Sequence, residues 1–347
     1  MQNEKRLNLL DFTKQELKLF LEEKGYPSFR AEQLYVALMQ GKTIGEITNL
    51  PKKILEEIKT EYPHFEILKK AVSKDGTIKY VYKFSDGEIA EGVFMRYKYG
   101  NTLCVSTQIG CRMGCKFCAS GLHGLKRNLT PGEIIEQILT VNKDNGGEIK
   151  NRAVTNVVLM GSGEPLDNYD NVLKFFKLVS ASDGINISPR NISLSTCGLV
   201  PKIYELADSG FGVTLTISLH APNDDIRRCT MPIAEKYSID EILKACKYYF
   251  DKTGRRVIFE YTLVENLNDK DEHAQELSVI LRGFSCHVNV IPLNYVKERG
   301  LKGSSTKKAH IFADKLNKMG VSATVRRTLG ADIGGACGQL RNKLLEI

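Results

Sequence analysis

Thr102-Leu103-Cys104-Val105-Ser106 is an apolar, β-branched run that predicts a strand, and Cys111-Arg112-Met113-Gly114-Cys115-Lys116-Phe117-Cys118 follows it with three cysteines at CxxxCxxC spacing. An iron–sulfur cube takes four thiolates. This stretch offers three within eight residues and no obvious fourth nearby, so one iron would stay open to a ligand from outside the protein. The competing reading is a zinc knuckle. Zinc sites usually take four protein ligands as two pairs, and the chain has no second CxxC or HxxxH. The spacing therefore favours iron–sulfur chemistry at Cys111, Cys115 and Cys118.

Working outward, the strand and cysteines open a long series of alternating elements. Strands are predicted near 102–107 and over Asn156–Met160, Asn191–Ser195, Gly212–Ser218, Arg256–Leu263, Val288–Pro292 and Ser322–Arg326. Helices are predicted between them, at Pro131–Val141, Val172–Ser180, Lys202–Ala207, Ile239–Lys252, His273–Arg282 and Thr306–Met319. Repeated βα units imply a parallel sheet. The expected class is α/β, an incomplete (βα)6-type, TIM-like barrel over residues 100–347, with functional groups at the C-terminal ends of its strands. Upstream, Thr77–Phe84 and Ile89–Tyr97 flank Ser85-Asp86-Gly87, which predicts a β-hairpin connector over 66–99. Residues 1–65 predict a small helical domain. Asp11 or Thr13 caps a first helix, Lys14–Lys24, with apolar positions at Leu17, Leu19, Phe20 and Leu21. A second helix spans Arg30–Met39, and a third, Lys52–Glu61, starts after Pro51. Such a module would either touch nucleic acid or brace the main domain.

The composition fits this plan. The chain has 347 residues, 42% of them hydrophobic, enough for a substantial core. No apolar run reaches the ~18 residues of a membrane span, and the first residues lack a signal-peptide core. The expected location is the cytoplasm. Nine cysteines without a secretion signal point to metal or redox chemistry rather than a disulfide framework. A net charge of +8 suits a polyanionic partner such as RNA, although a protein can simply be basic.

Several residues sit where a barrel would present them to a ligand. Val157–Met160 runs into Gly161-Ser162-Gly163-Glu164-Pro165, where small residues allow close approach and Glu164 suits an ammonium group. A tight turn is the plainer reading of that run. Ser195 and Ser218 end predicted strands and suit ribose or carboxylate contacts, and Asn294 suits an adenine edge. His220 reads equally as a structural histidine. Cys337, between glycines and alanine, is expected to be accessible. Cys197, Cys229, Cys246 and Cys286 read as small buried hydrophobes. Lys126, Arg127, Lys307, Lys308, Arg326 and Arg327 are candidate phosphate contacts, each alone more typical of a solvated surface charge. Glu91 by itself reads as a solvated strand carboxylate.

Together these residues resemble the RlmN family of radical S-adenosylmethionine (SAM) RNA adenine-C2 methyltransferases. The likeness runs through Thr102–Gln108, Cys111–Cys118, Gly121, Arg127–Thr130, Met160–Leu166, Leu194–Thr196, Ser218–Asn223, Met231–Ile233, Val288–Pro292 and Ala336–Leu340, and covers nearly the whole chain. Ser162 departs from it, since many relatives have Met there.

The resemblance implies a [4Fe–4S] cluster on Cys111, Cys115 and Cys118, and two SAM molecules per turnover. It implies SAM contacts at Gly163, Glu164, Ser195, Ser218, Leu219, His220 and Asn294. Carbon 2 of adenine is electron-poor, so a covalent relay replaces direct transfer. Cys337 takes a methyl group from one SAM by displacement. An adenosyl radical from the second removes a hydrogen from that methyl, and the resulting radical adds to carbon 2. Glu91 matches the family's proton acceptor. Cys104 then attacks the Cys337 sulfur by ordinary exchange chemistry, and a disulfide forms as the base leaves. The implied partners are 23S rRNA in its peptidyl-transferase region, tRNA at an adenosine beside the anticodon, and an electron donor such as a flavodoxin or ferredoxin; the implied state is a monomer. Two rivals stand beside this. One is the sister enzyme that methylates adenine carbon 8 and confers antibiotic resistance. The other is an RNA-binding protein whose cluster is structural or redox-sensing.

Overall fold

The computed structural model describes residues 7–62 and 65–341, so the expected domain limits at residues 1 and 347 lie outside the described residues. The chain begins with three helices: α1 (Lys14–Glu23), α2 (Phe29–Met39) and α3 (Lys52–Glu57). Thr13, not Asp11, caps α1 through a reciprocal pair. The Glu16 N–H donates to Thr13 Oγ1 at 3.2 Å, and the Thr13 N–H to Glu16 Oε2 at 2.7 Å. Leu17 and Leu21, one turn apart, face inward, whereas Leu19 is exposed. The third helix ends four residues short of the expected Glu61, because Ile58 leaves helical geometry and is fully buried. These helices do not stand apart. Their buried leucines belong to the same continuous apolar core as the barrel, and Asp11 Oδ1 accepts from the Gly132 N–H at 2.7 Å.

Among the described residues the sheet has ten strands. Four lead it in: β1 (Glu66–Val72), β2 (Ile78–Lys83), β3 (Ile89–Tyr97) and β4 (Gly100–Cys104). A small separate pair, β5 (Gln108–Gly110) and β6 (Leu125–Asn128), brackets the cysteine loop. The βα units follow: α4 (Pro131–Asp144), β7 (Asn156–Leu159), α5 (Tyr169–Val179), β8 (Ile192–Thr196), α6 (Val200–Asp208), β9 (Thr214–Ser218), α7 (Asp224–Thr230), α8 (Ile239–Thr253), β10 (Val257–Leu263), α9 (Asp271–Ile280), β11 (Cys286–Pro292), α10 (Thr306–Lys318) and β12 (Ala323–Val325). The order is β1-β2-β3-β4-β7-β8-β9-β10-β11-β12. Pairing is antiparallel from β1 to β4 and parallel from β4 to β12. The two ends of this order do not meet, which makes an incomplete barrel.

Three departures from expectation have local causes. The hairpin connector is a three-stranded extension of the sheet itself, since Val93 pairs with Cys104 and Tyr97 with Gly100. Its first strand carries Lys69 and Lys70 and is largely exposed, as suits an edge, so its apolar signal is weak. The first barrel strand ends at Cys104 rather than residue 107, because Gln108–Gly110 turns away to pair with Leu125–Asn128.

Two glycines hold the turn after β7 against the end of β4. A Cβ on Gly161 would lie 2.6 Å from the Val105 carbonyl oxygen, and one on Gly163, at φ +111°, would lie 2.7 Å from Gln108 Cβ.

Glu136 of α4 is buried and accepts from the Phe65 N–H at 2.9 Å. Burial pushes its carboxyl up to about 8 from an ordinary 4.5. The folded state thus holds this proton more tightly than the unfolded chain, so ionisation costs stability as pH rises from about 4.5 to 8. Glu136→Gln keeps the acceptor and removes that cost. Its melting temperature is expected to match the parent at pH 4 and to exceed it increasingly up to pH 8. A pH-independent difference would contradict this.

Among the described residues no helix is long and apolar enough to cross a membrane.

Candidate active site

A cavity of about 1010 Å³, open mouth included, lies at the C-terminal ends of the parallel strands. Cys111, Cys115 and Cys118 line it, with Gly163 and Glu164 after β7, Ser195 on β8, Ser218 and His220 at the end of β9, Asn294 after β11, and Cys337. Of the expected SAM contacts only Leu219 is absent from the wall: its side chain is fully buried.

The cysteine loop is tied down on several sides. The Cys111 N–H donates to the Gly124 carbonyl at 3.0 Å, the Lys116 N–H to Thr230 at 2.8 Å, and the Ala119 N–H to Gly338 at 2.8 Å. Arg299 Nε donates to the Cys118 carbonyl at 2.9 Å. Phe117 meets the His220 ring edge-on at 4.8 Å. Burial pushes the Cys111 thiol up to about 12 and the Cys115 thiol higher still, and the negative charge of neighbouring cysteines adds to the rise at Cys115. These are thiols whose protons must leave on metal binding. A soft, all-thiolate donor set on a braced loop fits an iron–sulfur cube.

Glu164 is fixed in the wall of the same cavity. Its Oε2 accepts from the Cys197 N–H at 2.8 Å and its Oε1 from the Leu166 N–H at 3.0 Å. Burial raises its carboxyl, and those N–H groups pull the other way. His220 is a structural histidine and a wall residue at once. Its Nδ1 accepts from the Thr262 N–H at 3.0 Å, and burial pushes it down to about 3, so the ring is neutral. Asn294, in the same wall, donates its side-chain amide to the Cys337 carbonyl at 3.1 Å.

A smaller cavity of about 580 Å³ adjoins the first, and both are lined by Met160, Ile291, Asn294, Cys337, Gly338 and Leu340. Cys104 and Cys337, far apart in sequence, both face it. Cys104 is buried at the end of β4, and that burial pushes its thiol up to about 12, with Cys337 reinforcing and Arg326 opposing. Cys337 is exposed on its loop. The protein around it raises its thiol, while Arg326 pulls it down.

Glu91 is not a solvated strand carboxylate. It is fully buried, ion-paired with the buried Lys79, and its Oε2 accepts from the Arg341 N–H at 2.5 Å. It lines neither cavity but lies beneath the segment that carries Cys337. Lys79 also donates to the Gly334 carbonyl at 3.1 Å, so one ammonium ties the carboxylate to that segment.

The basic candidates divide. Arg326 points inward, donating to both Glu260 oxygens at 2.8 and 3.1 Å. Lys126 is held by Glu88, Arg127 by Asp86 and Glu133, and Lys308 by the buried Asp269. Arg327 is exposed at the rim of the smaller cavity. Of the four cysteines expected in the core, Cys246 and Cys286 are there, Cys229 is exposed, and Cys197 is buried in the wall of the larger cavity. Gln108, Glu260 and Arg227 were not singled out from the sequence. A carboxylate inside the apolar run Val257–Leu263 was the visible signal for Glu260.

Comparison with known proteins agrees with this geometry. Residues 105–277 match the radical SAM superfamily. The chain is 52% identical to a Clostridium botulinum protein described as "Probable dual-specificity RNA methyltransferase RlmN", over 98% of this chain and 97% of that one. A Clostridium tetani protein of the same description is 49% identical, over 98% and 97%. The crystal structure of a radical SAM methyltransferase from Sphaerobacter thermophilus superposes with a TM-score of 0.93 at 40% identity, covering 97% of this chain and all of that one. Radical SAM proteins carry a [4Fe–4S] cluster and SAM, and the braced thiols with Glu164 in the same cavity fit both. This chain belongs to the RlmN family of radical SAM RNA methyltransferases.

Proposed function

We propose that the protein converts adenosine to 2-methyladenosine in 23S rRNA and in tRNA, by a covalent relay through Cys337. The observation that carries this reading is that Cys104 and Cys337 face one cavity, which shares its wall with the cavity of the cluster cysteines. Cys111, Cys115 and Cys118 would hold the cluster, and Gly163, Glu164, Ser195, Ser218, His220, Asn294 and the backbone at Leu219 would hold SAM. Bound there, the cluster and SAM supply an adenosyl radical, with two SAM molecules used per turnover. Cys337, exposed where the two cavities meet, carries the methyl group and then the covalent link to the base. Glu91 accepts the proton from carbon 2, which requires the segment above it to shift, since its carboxylate is now closed off by the Arg341 N–H. Cys104 attacks the Cys337 sulfur; the sulfur–carbon bond breaks, the released methylene takes up a proton to become the methyl group, and a disulfide remains, while the unpaired electron left by radical addition returns to the electron-donor system.

Arg327 at the rim suits a phosphate of the incoming RNA, whose target base must leave its stack to enter the barrel. The electron donor is a flavodoxin or ferredoxin system, and the enzyme works as a cytoplasmic monomer. Nucleoside mass spectrometry of 23S rRNA and tRNA, from cells with and without the gene, tests this reading. Gene-dependent 2-methyladenosine in both is expected. An 8-methyladenosine product would instead assign the sister activity.

A further inference from the structure

Arg227, on α7, is the bulkiest fully buried side chain of the described residues, and the carboxylate of Asp224, earlier on the same helix, acts on it through space. Its guanidinium is surrounded by main-chain carbonyls at the ends of β8 and β9 and in the loop before α8. Nη2 donates to Cys197 at 2.6 Å and to Ser218 at 3.4 Å, Nε to Leu219 at 3.2 Å, and Nη1 to Tyr237 at 3.5 Å. Carbonyls satisfy its hydrogen bonds but carry no net charge, and a buried charge is normally paired by direct contact.

The missing anion has a place. Cys197, whose carbonyl Arg227 holds, lines the larger cavity beside Cys115. The helix of Arg227 ends at Thr230, whose carbonyl takes the Lys116 N–H of the cysteine loop at 2.8 Å.

We propose that Arg227 is the fixed counter-charge of the iron–sulfur cluster, a positioning residue that sets the cluster's reduction potential. A cube on three thiolates is a net anion that becomes more negative on reduction. A cation buried behind the ligands stabilises the reduced form and raises the potential, since net charge and polar surroundings tune such clusters. The same side chain ties the ends of β8 and β9, which carry Ser195 and Ser218, to the wall behind the cluster. This rests on the cluster assignment, and the two can fail separately.

The test compares Arg227→Gln, Arg227→Lys and Arg227→citrulline, the last nearly isosteric and neutral with its donors retained. Each is reconstituted anaerobically with iron and sulfide, assayed for iron and sulfide content, and titrated in potential with electron paramagnetic resonance detection. The neutral variants are expected to hold a cluster with a more negative potential, and the lysine variant to lie nearer the parent. Should Arg227→Gln not fold, the citrulline variant decides. Fully loaded neutral variants with the parental potential would overturn the proposal alone. A parent that takes up no cluster would overturn the cluster assignment with it.

Discussion

Cys337→Ala is expected to lose all methylated product while keeping its fold and its cluster. The side chain is exposed on a loop, so its removal should change stability by no more than about 0.5 kcal/mol. The cluster thiols and the Glu164 pocket do not depend on it. What vanishes is the only thiol that lines both cavities among the described residues, hence the nucleophile able to carry a methyl from the cofactor side to the base side. Melting temperature, iron content and nucleoside mass spectrometry on one preparation check this. Methylation at the parental level would refute the relay. Cys104→Ala should behave differently. It removes the resolving thiol, so the enzyme should stall as a covalent adduct with RNA, seen as a slower band on a denaturing gel.

Cys115→Ala is the second change with a total effect. Its thiol lies among those of Cys111 and Cys118 on the braced loop, and two thiolates cannot hold a cube that takes three from the protein. Iron and sulfide after anaerobic reconstitution should fall to background, and product with them. Because the loop is anchored by main-chain bonds at Cys111, Lys116 and Ala119, the apo fold should survive, with a melting temperature close to that of the apo parent. A variant that retains cluster and activity would move the metal site away from these cysteines.

Much of this was legible in the sequence because it is local. The β-branched runs marked the barrel strands within about three residues, since a buried parallel strand must be apolar along its length. The cysteine loop and the Gly161–Pro165 turn were readable because their spacing is itself the chemistry. What stayed hidden depends on partners distant in sequence. Nothing around Glu91 announces that Lys79, on the neighbouring strand, buries with it, or that the Arg341 backbone caps it. Arg326 looked like a surface base until Glu260, sixty-six residues earlier, turned it inward. The exposed Lys-rich strand Glu66–Val72 lacked an apolar alternation because it forms the edge of the sheet.

The most direct test uses SAM whose methyl group carries three deuteriums, supplied to the enzyme with an RNA substrate, followed by mass spectrometry of the methylated adenosine. Passage through the Cys337 sulfur requires one of those deuteriums to be lost to the adenosyl radical, so the product methyl should carry two. A product methyl that retains all three would mean direct transfer, and the pairing of Cys104 with Cys337 across the shared wall would then have no part in the reaction.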